Sequence, residues 1–418
     1  MATVSYGQQV SVVATSPGDP YTAIAYDPEG AAHIAWYDME AGTIMHTWRN
    51  GDTWSTETVG HTAGTRSVSI AIDPSGNPWI SYGDGLHFGN LMLAEKGTQG
   101  WNMTIVDTGG YPKTGAAIGT VAGAAAGATI GAIVCTEGGP GFMAACGIIA
   151  GATAAVPGGY AGYRAGRAIG DVGQYSSLAF DRQGVPHIAY NGGEFYDSLL
   201  YASPDPGTGE WEIVTVDDSS ETGQSPSLVI DIVGNPHIAY RAGAIFPSLM
   251  YAISGNGGKT WTTTKVDTGG VTGKTGYSPS LALDTGGYPH IAYIDASTGN
   301  LRYASPAFYF GEIGKSWKSE TIEHYARADP DASVSLVIDP RDRPHILYNA
   351  IYPATSDRFM VYASQQQTGW KVVVIIDADG DTGRYPSLTL NPEGIPSETY
   401  YLIDNHSLKF VYEEEIMP

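Results

Sequence analysis

One phrase, an apolar run closed by an acid and followed by a turn and Pro-His, returns along the chain about every fifty residues, a period that holds four short strands and their turns. It is clearest in the middle, where SPSLVIDIVGNPHIAY (225–240) is followed by SPSLALDTGGYPHIAY (278–293). The acid closing the first run is Asp27, Asp73, Asp181, Asp231, Asp284 and Asp339, and Asn391 takes its place in a seventh copy.

Each copy breaks into four runs, of the SLALD, HIAY, LxYA and WxxxxV types, separated by Gly, Pro, Asn or Asp. That pattern predicts an antiparallel four-stranded meander, which is a propeller blade. The seventh copy stops after three runs, PSLTLN, PSETYYLI and SLKFVYEEE, while the chain opens with strand-like VSYGQQVSVV. The N-terminal strand is therefore expected to complete the last blade and close the ring. The expected fold class is all-β, a seven-bladed propeller of four-stranded blades, with one inserted α-helical hairpin. Composition agrees, since 27 Tyr, 55 Gly, 25 Pro and only 15% charged residues suit short strands and tight turns.

The phrase resembles the bacterial and archaeal seven-bladed propellers of the sialidase-like, Asp-box kind, and the resemblance covers the chain except for one insertion. Blade 4 carries SGNGGKTW, Ser254 to Trp261, with Asn256 where the family motif has Asp. The other turns between third and fourth strands keep mainly the Gly and the Trp, at Trp54, Trp101, Trp211, Trp317 and Trp370. Such a resemblance implies a fold and says little about activity. Sialidase-type hydrolysis would need three arginines to clamp a carboxylate, a Tyr and Glu nucleophilic pair and an Asp acid/base. Arg66, Arg241 and Arg384 fall near loop ends of one face, but the Arg-Ile-Pro signature of the family is absent. No Gly-x-Ser-x-Gly, phosphate-loop or Cys/His nucleophile pattern occurs. No catalytic residue is assigned, and the three arginines stand as candidate ligand or anion contacts.

His33, His187, His237, His290 and His345 each begin a second strand, a few residues after the repeated Asp. Metal sites need converging ligands, so each His is expected to bond the turn or Asp of its own blade. DADGDTG (377–383) sets Asp377, Asp379 and Asp381 at alternate positions, as calcium loops do. Asp377 also sits in register with Asp107, Asp217 and Asp267 of a repeated VD phrase, and the Gly expected at the sixth position is displaced to the seventh. Calcium is a secondary candidate there, and no cofactor is assigned.

Comparison of copies locates the insertion: VDTGG ends at Gly110, and the phrase resumes with DVGQYSSLAFD at Asp171. The chain thus divides into 1–110 (the closing strand and blades 1 and 2), 111–170 (the insertion) and 171–418 (blades 3 to 7). Thr114 to Thr136 and Phe142 to Tyr163 carry no charge, and each matches the roughly 20 residues that span a bilayer as helix. A helical hairpin is expected. Its first run sets Gly115, Gly119, Gly123, Gly127 and Gly131 at a spacing of four, and its second offers Gly147, Gly151, Ala155 and Gly159, with Gly158, Gly162, Gly166 and Gly170 on a neighbouring row. Such faces allow close helix approach, although each glycine costs a helix about 1 kcal/mol relative to alanine. Cys135 and Cys146 flank the tip, where a disulfide could form or both thiols stay free.

These features lead to an expected non-enzymatic propeller that presents the hairpin for membrane insertion or self-association, a pore-forming or membrane-perturbing effector. The segment resembles in pattern the glycine-zipper helices of small bacteriocins and of some membrane-permeabilising secreted effectors. The alternative is a carbohydrate- or protein-binding propeller whose hairpin drives oligomerisation in a surface assembly, with Tyr and Trp as stacking platforms. A sialidase-like glycoside hydrolase comes third. A net charge of −22 argues against nucleic acid as a partner. No basic segment followed by an apolar run marks a signal peptide, and localisation is left unknown, with secreted, surface or membrane-associated placement favoured.

Overall fold

The repeated phrase encodes its own turn. In blade 4, Asp231 Oδ1 accepts the backbone N–H of Val233 at 2.9 Å and of Asn235 at 2.8 Å, while Gly234 takes a φ of +89°. An acid that can fold back on its own backbone and a glycine free to adopt positive φ are what a tight turn of this kind requires. The same bonds recur at Asp27, Asp73, Asp181, Asp284 and Asp339, and Asn391 Oδ1 accepts Ile395 N–H at 2.8 Å.

The computed structural model describes residues 8–15, 21–108 and 172–413, apart from short loop stretches within the last two ranges. They form seven antiparallel sheets, and blade 4, made of Gln224–Ile230, Pro236–Ala242, Ser248–Ile253 and Thr262–Asp267, is representative. Its second strand, PHIAYRA, is buried at nearly every position, whereas its fourth, TTTKVD, has no buried position and is exposed at half of them. Neighbouring blades cover both faces of a second strand, which explains an apolar run where a half-buried strand would alternate.

First strands of successive blades touch in a complete ring, and the seventh touches the first. The serine of the PSL phrase ties them. Its Oγ accepts the backbone N–H of the next blade's apolar residue: Leu178 donates to Ser69, Leu228 to Ser177, Leu281 to Ser227, Leu336 to Ser280 and Leu388 to Ser335, at 2.9–3.0 Å. Ile24 donates to Ser387 at 3.3 Å across the closure. The step from blade 1 to blade 2 differs because Ala23 occupies the serine's position. Gln8–Thr15 pairs antiparallel with Ser407–Glu413 and so supplies the fourth strand of blade 7, as the truncated last copy requires.

The other repeated polar residues join blades further out. Tyr190, Tyr240 and Tyr293, from HIAY phrases, donate their hydroxyls to Asp107, Asp217 and Asp267, which end the fourth strand of the preceding blade, at 2.5–2.7 Å. Burial first, and then the carboxylate beside each, raises the phenol pKa values and keeps these groups as donors. Backbones also approach closely. A Cβ at Gly173, Gly223 or Gly276, all at φ of +75 to +83°, would lie 2.7 Å from the Cα of Leu91, Leu199 or Leu249 of the preceding blade. Gly276→Ala should therefore cost about 3 kcal/mol or more, from left-handed strain plus the backbone clash. A denaturant midpoint equal to that of the parent protein would refute this.

The fold class needs one correction. The described residues contain strands and turns but no α-helix, and so none long and apolar enough to cross a membrane. The all-β propeller holds, and the inserted α-helical hairpin is not seen. Residues 111–170, with the glycine rows from Gly115 to Gly131 and from Gly147 to Gly170 and with Cys135 and Cys146, lie outside the described residues. The physical weakness of the expectation is plain: a spacing of four defines a face only once a helix exists, and five glycines oppose that helix by roughly 5 kcal/mol in total. The membrane-perturbing expectation depends on that hairpin, which the described residues do not contain.

Candidate functional site

Two faces of the disc differ in chemistry. On the face of the turns between first and second strands, the axis ends in a depression of about 490 Å³ lined by Asp27, Asp73, Asp181, Asn391 and flanking prolines. Its acids are already engaged. Asp27 Oδ1 accepts two backbone N–H groups and Oδ2 meets His33 Nε2 at 3.2 Å, while in blade 2 Trp79 replaces the His and donates to Asp73 Oδ2 at 3.3 Å.

Behind that face each repeated histidine works within its own blade. Asp Oδ2 stands opposite Nε2 of His237 at 3.5 Å, His290 at 3.2 Å, His345 at 3.4 Å and His187 at 3.7 Å. Nδ1 meets the hydroxyl of a third-strand tyrosine, at 2.5 Å for His187 with Tyr201 and His290 with Tyr303, and 2.6 Å for His237 with Tyr251. His345 pairs likewise with Tyr362. At His237 and His290 the carboxylate can only accept, which assigns the proton to Nε2 and leaves Nδ1 to accept from the phenol, whereas Nε2 of His187 and His345 faces its Asp without a hydrogen bond. The Tyr rings then pack edge-on against a Trp of the next blade, as Tyr201 does on Trp261, Tyr251 on Trp317 and Tyr303 on Trp370. In the Asp-box-like turn, Ser254 Oγ accepts Gly258 N–H at 2.8 Å, and a Cβ at Gly258 would lie 2.2 Å from the Tyr201 ring. The motif of blade 4 is thus a packing device.

The opposite face carries the connections between blades and the loops between second and third strands. Here the first strands of blades 3, 4, 5 and 7 each begin with a bulge, and a non-glycine residue in each takes a φ of +46 to +56°: Tyr175, Ser225, Ser278 and Tyr385. Left-handed backbone at bulky residues is strained, and bulges re-aim side chains near sites. Tyr21, Tyr175, Tyr277 and Tyr385, all half-buried, stand at this end of the innermost strands, with the Tyr21 and Tyr385 rings 4.0 Å apart.

The best-defined sector lies between blades 4 and 5. The Arg241 guanidinium sits over the Tyr277 ring, 4.3 Å from its centroid. Beside it the loop after Ala242 exposes Ile245 at 71% and Phe246 at 55%. That loop is anchored at both ends: Gly243 N–H donates to Glu221 C=O at 3.1 Å, and Thr275 N–H donates to Pro247 C=O at 3.0 Å. Apolar side chains are thus held out on a pinned loop that begins two residues after a cation stacked on a tyrosine.

Of the residues singled out from sequence, Arg241 lies in this sector. Arg384 pairs through its backbone with Tyr401 in blade 7, and its side chain is not described. Arg66, Asp377, Asp379 and Asp381 lie outside the described residues. The tyrosines and Phe246 were missed. The signal available was the position just before the PSL phrase, which reads Tyr175, Ser225, Ser278 and Tyr385 in GQYSS, GQSPS, GYSPS and GRYPS.

Fold and pairing define a seven-bladed β-propeller closed by its N-terminal strand. No family model and no curated protein matches the chain. Among solved structures, an ulvan lyase from a new family of polysaccharide lyases is similar with 11% identity over 96% of each chain and a TM-score of 0.59. A protein of unknown function from Dyadobacter fermentans shares 9% identity over 96% of this chain and 98% of that one, with a TM-score of 0.51. A Hadza microbial sialidase shares 12% identity over 93% of this chain and 74% of that one, at 0.50. At these identities the likeness shows the fold alone.

Proposed function

We propose that this protein is a glycan-binding propeller whose ligand docks on the face of the inter-blade connections, at the sector between blades 4 and 5. The observation that carries the reading is the Arg241–Tyr277 stack, followed two residues on by the anchored loop that exposes Phe246. A sugar ring offers apolar C–H faces to aromatic rings and hydroxyls to a guanidinium, and a stack already assembled loses little freedom on binding. The scaffold is one that a polysaccharide lyase and a sialidase also use, which makes turnover a second outcome to measure.

Screening the full chain against immobilised glycans, followed by calorimetry with those retained, tests the reading. Tyr277→Ala and Phe246→Ala should each weaken binding about tenfold or more, as removal of aromatic anchors does, with the unfolding midpoint little changed for the exposed Phe246 and lowered for Tyr277, which also packs on a buried cluster. No retained glycan, or affinities indifferent to both substitutions, would discard it. Release of new reducing or unsaturated ends during incubation would make the protein an enzyme acting on that glycan.

A further inference from the structure

Blade 1 departs from the Asp–His–Tyr pattern in a way that changes its proton count. Where the other His-bearing blades place a third-strand tyrosine, blade 1 has His46. The chain runs from Asp27 Oδ2 to His33 Nε2 at 3.2 Å, from His33 Nδ1 to His46 Nε2 at 2.9 Å, and from His46 Nδ1 to Glu57 Oε1 at 3.1 Å. It is buried and close-packed, His46 stacking between His33 and Trp48 with Trp101 edge-on.

In blades 4 and 5 the Asp–His–Tyr chain has two contacts and two protons, one from the neutral imidazole and one from the phenol. In blade 1 there are three contacts, both ends are carboxylates, and two neutral imidazoles bring two protons. Whichever tautomers the rings adopt, one contact sets two lone pairs against each other. The missing proton does not belong on Glu57, whose two oxygens accept from Lys96 Nζ at 2.6 and 2.7 Å and from Trp101 Nε1 at 3.1 Å. Nor can the rings take two, because that would place N–H against N–H across the 2.9 Å gap.

We infer that His33 and His46 form a one-proton switch: the pair takes up a single proton, and that proton completes a chain linking the axial turn of blade 1, through Asp27, to the joint with blade 2, through Glu57. Lys96 and Trp101 both belong to blade 2, so Glu57 is the residue where the chain crosses between blades. Among the described residues, the titratable and charged groups facing the two rings are Asp27, Glu57 and Lys96. Burial lowers the proton affinity of both rings, which puts uptake on the acid side of a free imidazole. The inference is independent of any ligand on the opposite face.

Ring-nitrogen NMR of the full chain labelled at histidine, titrated from about pH 8 to about pH 5, reads the protonation state directly. The wild type should gain one proton for the pair in a single step, and the Trp101 indole resonance should shift with the same midpoint. Glu57→Gln supplies the third proton from its amide, so both rings should stay neutral over that range and the indole should not move. His46→Tyr restores the balance of the other blades, and His33 should then remain neutral, which keeps the test available if the Gln variant does not fold. Two neutral rings throughout in the wild type, uptake of two protons, an unmoved indole, or variants that titrate like the parent would each overturn the switch.

Discussion

A variant lacking residues 1–15 should lose more than about 5 kcal/mol of stability, enough to unfold many domains at ambient temperature. Among the described residues, Gln8–Thr15 is the only N-terminal segment in blade 7, and it pairs with Ser407–Glu413 at seven positions. Val13, Leu408 and Phe410 are buried in the cluster it closes, together with Ile24, Ile34 and Trp36 of blade 1. Uncovering two or three such side chains costs about 1.5–3 kcal/mol each, and the ring also loses the tie between its ends. The bare edge of Ser407–Glu413 would then offer unpaired N–H and C=O groups to another chain. Denaturant unfolding should show a collapsed midpoint, and sedimentation should show association. An unchanged midpoint with a monomeric species would mean that the closing strand is dispensable.

The second large effect is acid sensitivity in the histidine range. His33, His46, His187, His237, His290 and His345 are all held below the ordinary imidazole value, by burial in every case, with the nearby carboxylates opposing that shift only in part. A depressed pKa means that the unfolded chain binds the proton first as pH falls. Stability is therefore full above about pH 6.5, the unfolded value, and declines below it until the folded imidazoles protonate too. The four tyrosine-paired rings and the His33–His46 pair, which takes one proton folded and two unfolded, act with the same sign. Carboxylates add a second phase. For Glu57, burial pushes upward, but the bonds from His46 and Lys96 outweigh it and bring the group down to about 2. Asp73, Asp231 and Asp339 are likewise lowered by their hydrogen bonds against burial. Their stabilisation persists above about pH 4 and fades below it. Thermal midpoints should be level between about pH 8 and 7 and fall from about pH 6.5 downward. A midpoint that stays level to about pH 5 would show that the rings are not buried as neutral groups.

Much of this molecule is legible in its repeat, and the reason is local. An Asp that accepts two N–H groups of its own turn, a glycine at positive φ three residues on, and an apolar run too continuous for a half-exposed strand are contained within one copy. Six full copies and a seventh of three strands then imply seven blades and closure by the N-terminal strand. The periodic glycines of 115–131 mislead for the complementary reason. Spacing specifies a face on an element but not the element, and glycine itself disfavours the helix that the reading needed.

The candidate site escaped the sequence because it is assembled between copies. Arg241 and Tyr277 are thirty-six positions apart and meet only when blade 5 packs on blade 4. The bulge that sets Ser278 in left-handed backbone leaves no mark beyond the phrase before PSL. The His46 substitution is visible in the sequence, yet its consequence depends on which atoms face Glu57 and Lys96 of two different blades. Sequence by itself determined the blades, their turns and their number, since those follow from bonds between near neighbours along the chain. Tertiary structure alone decided which repeated residues staple the ring, where aromatic and cationic groups converge, and where a proton is missing, because each of these is a property of the contacts between blades.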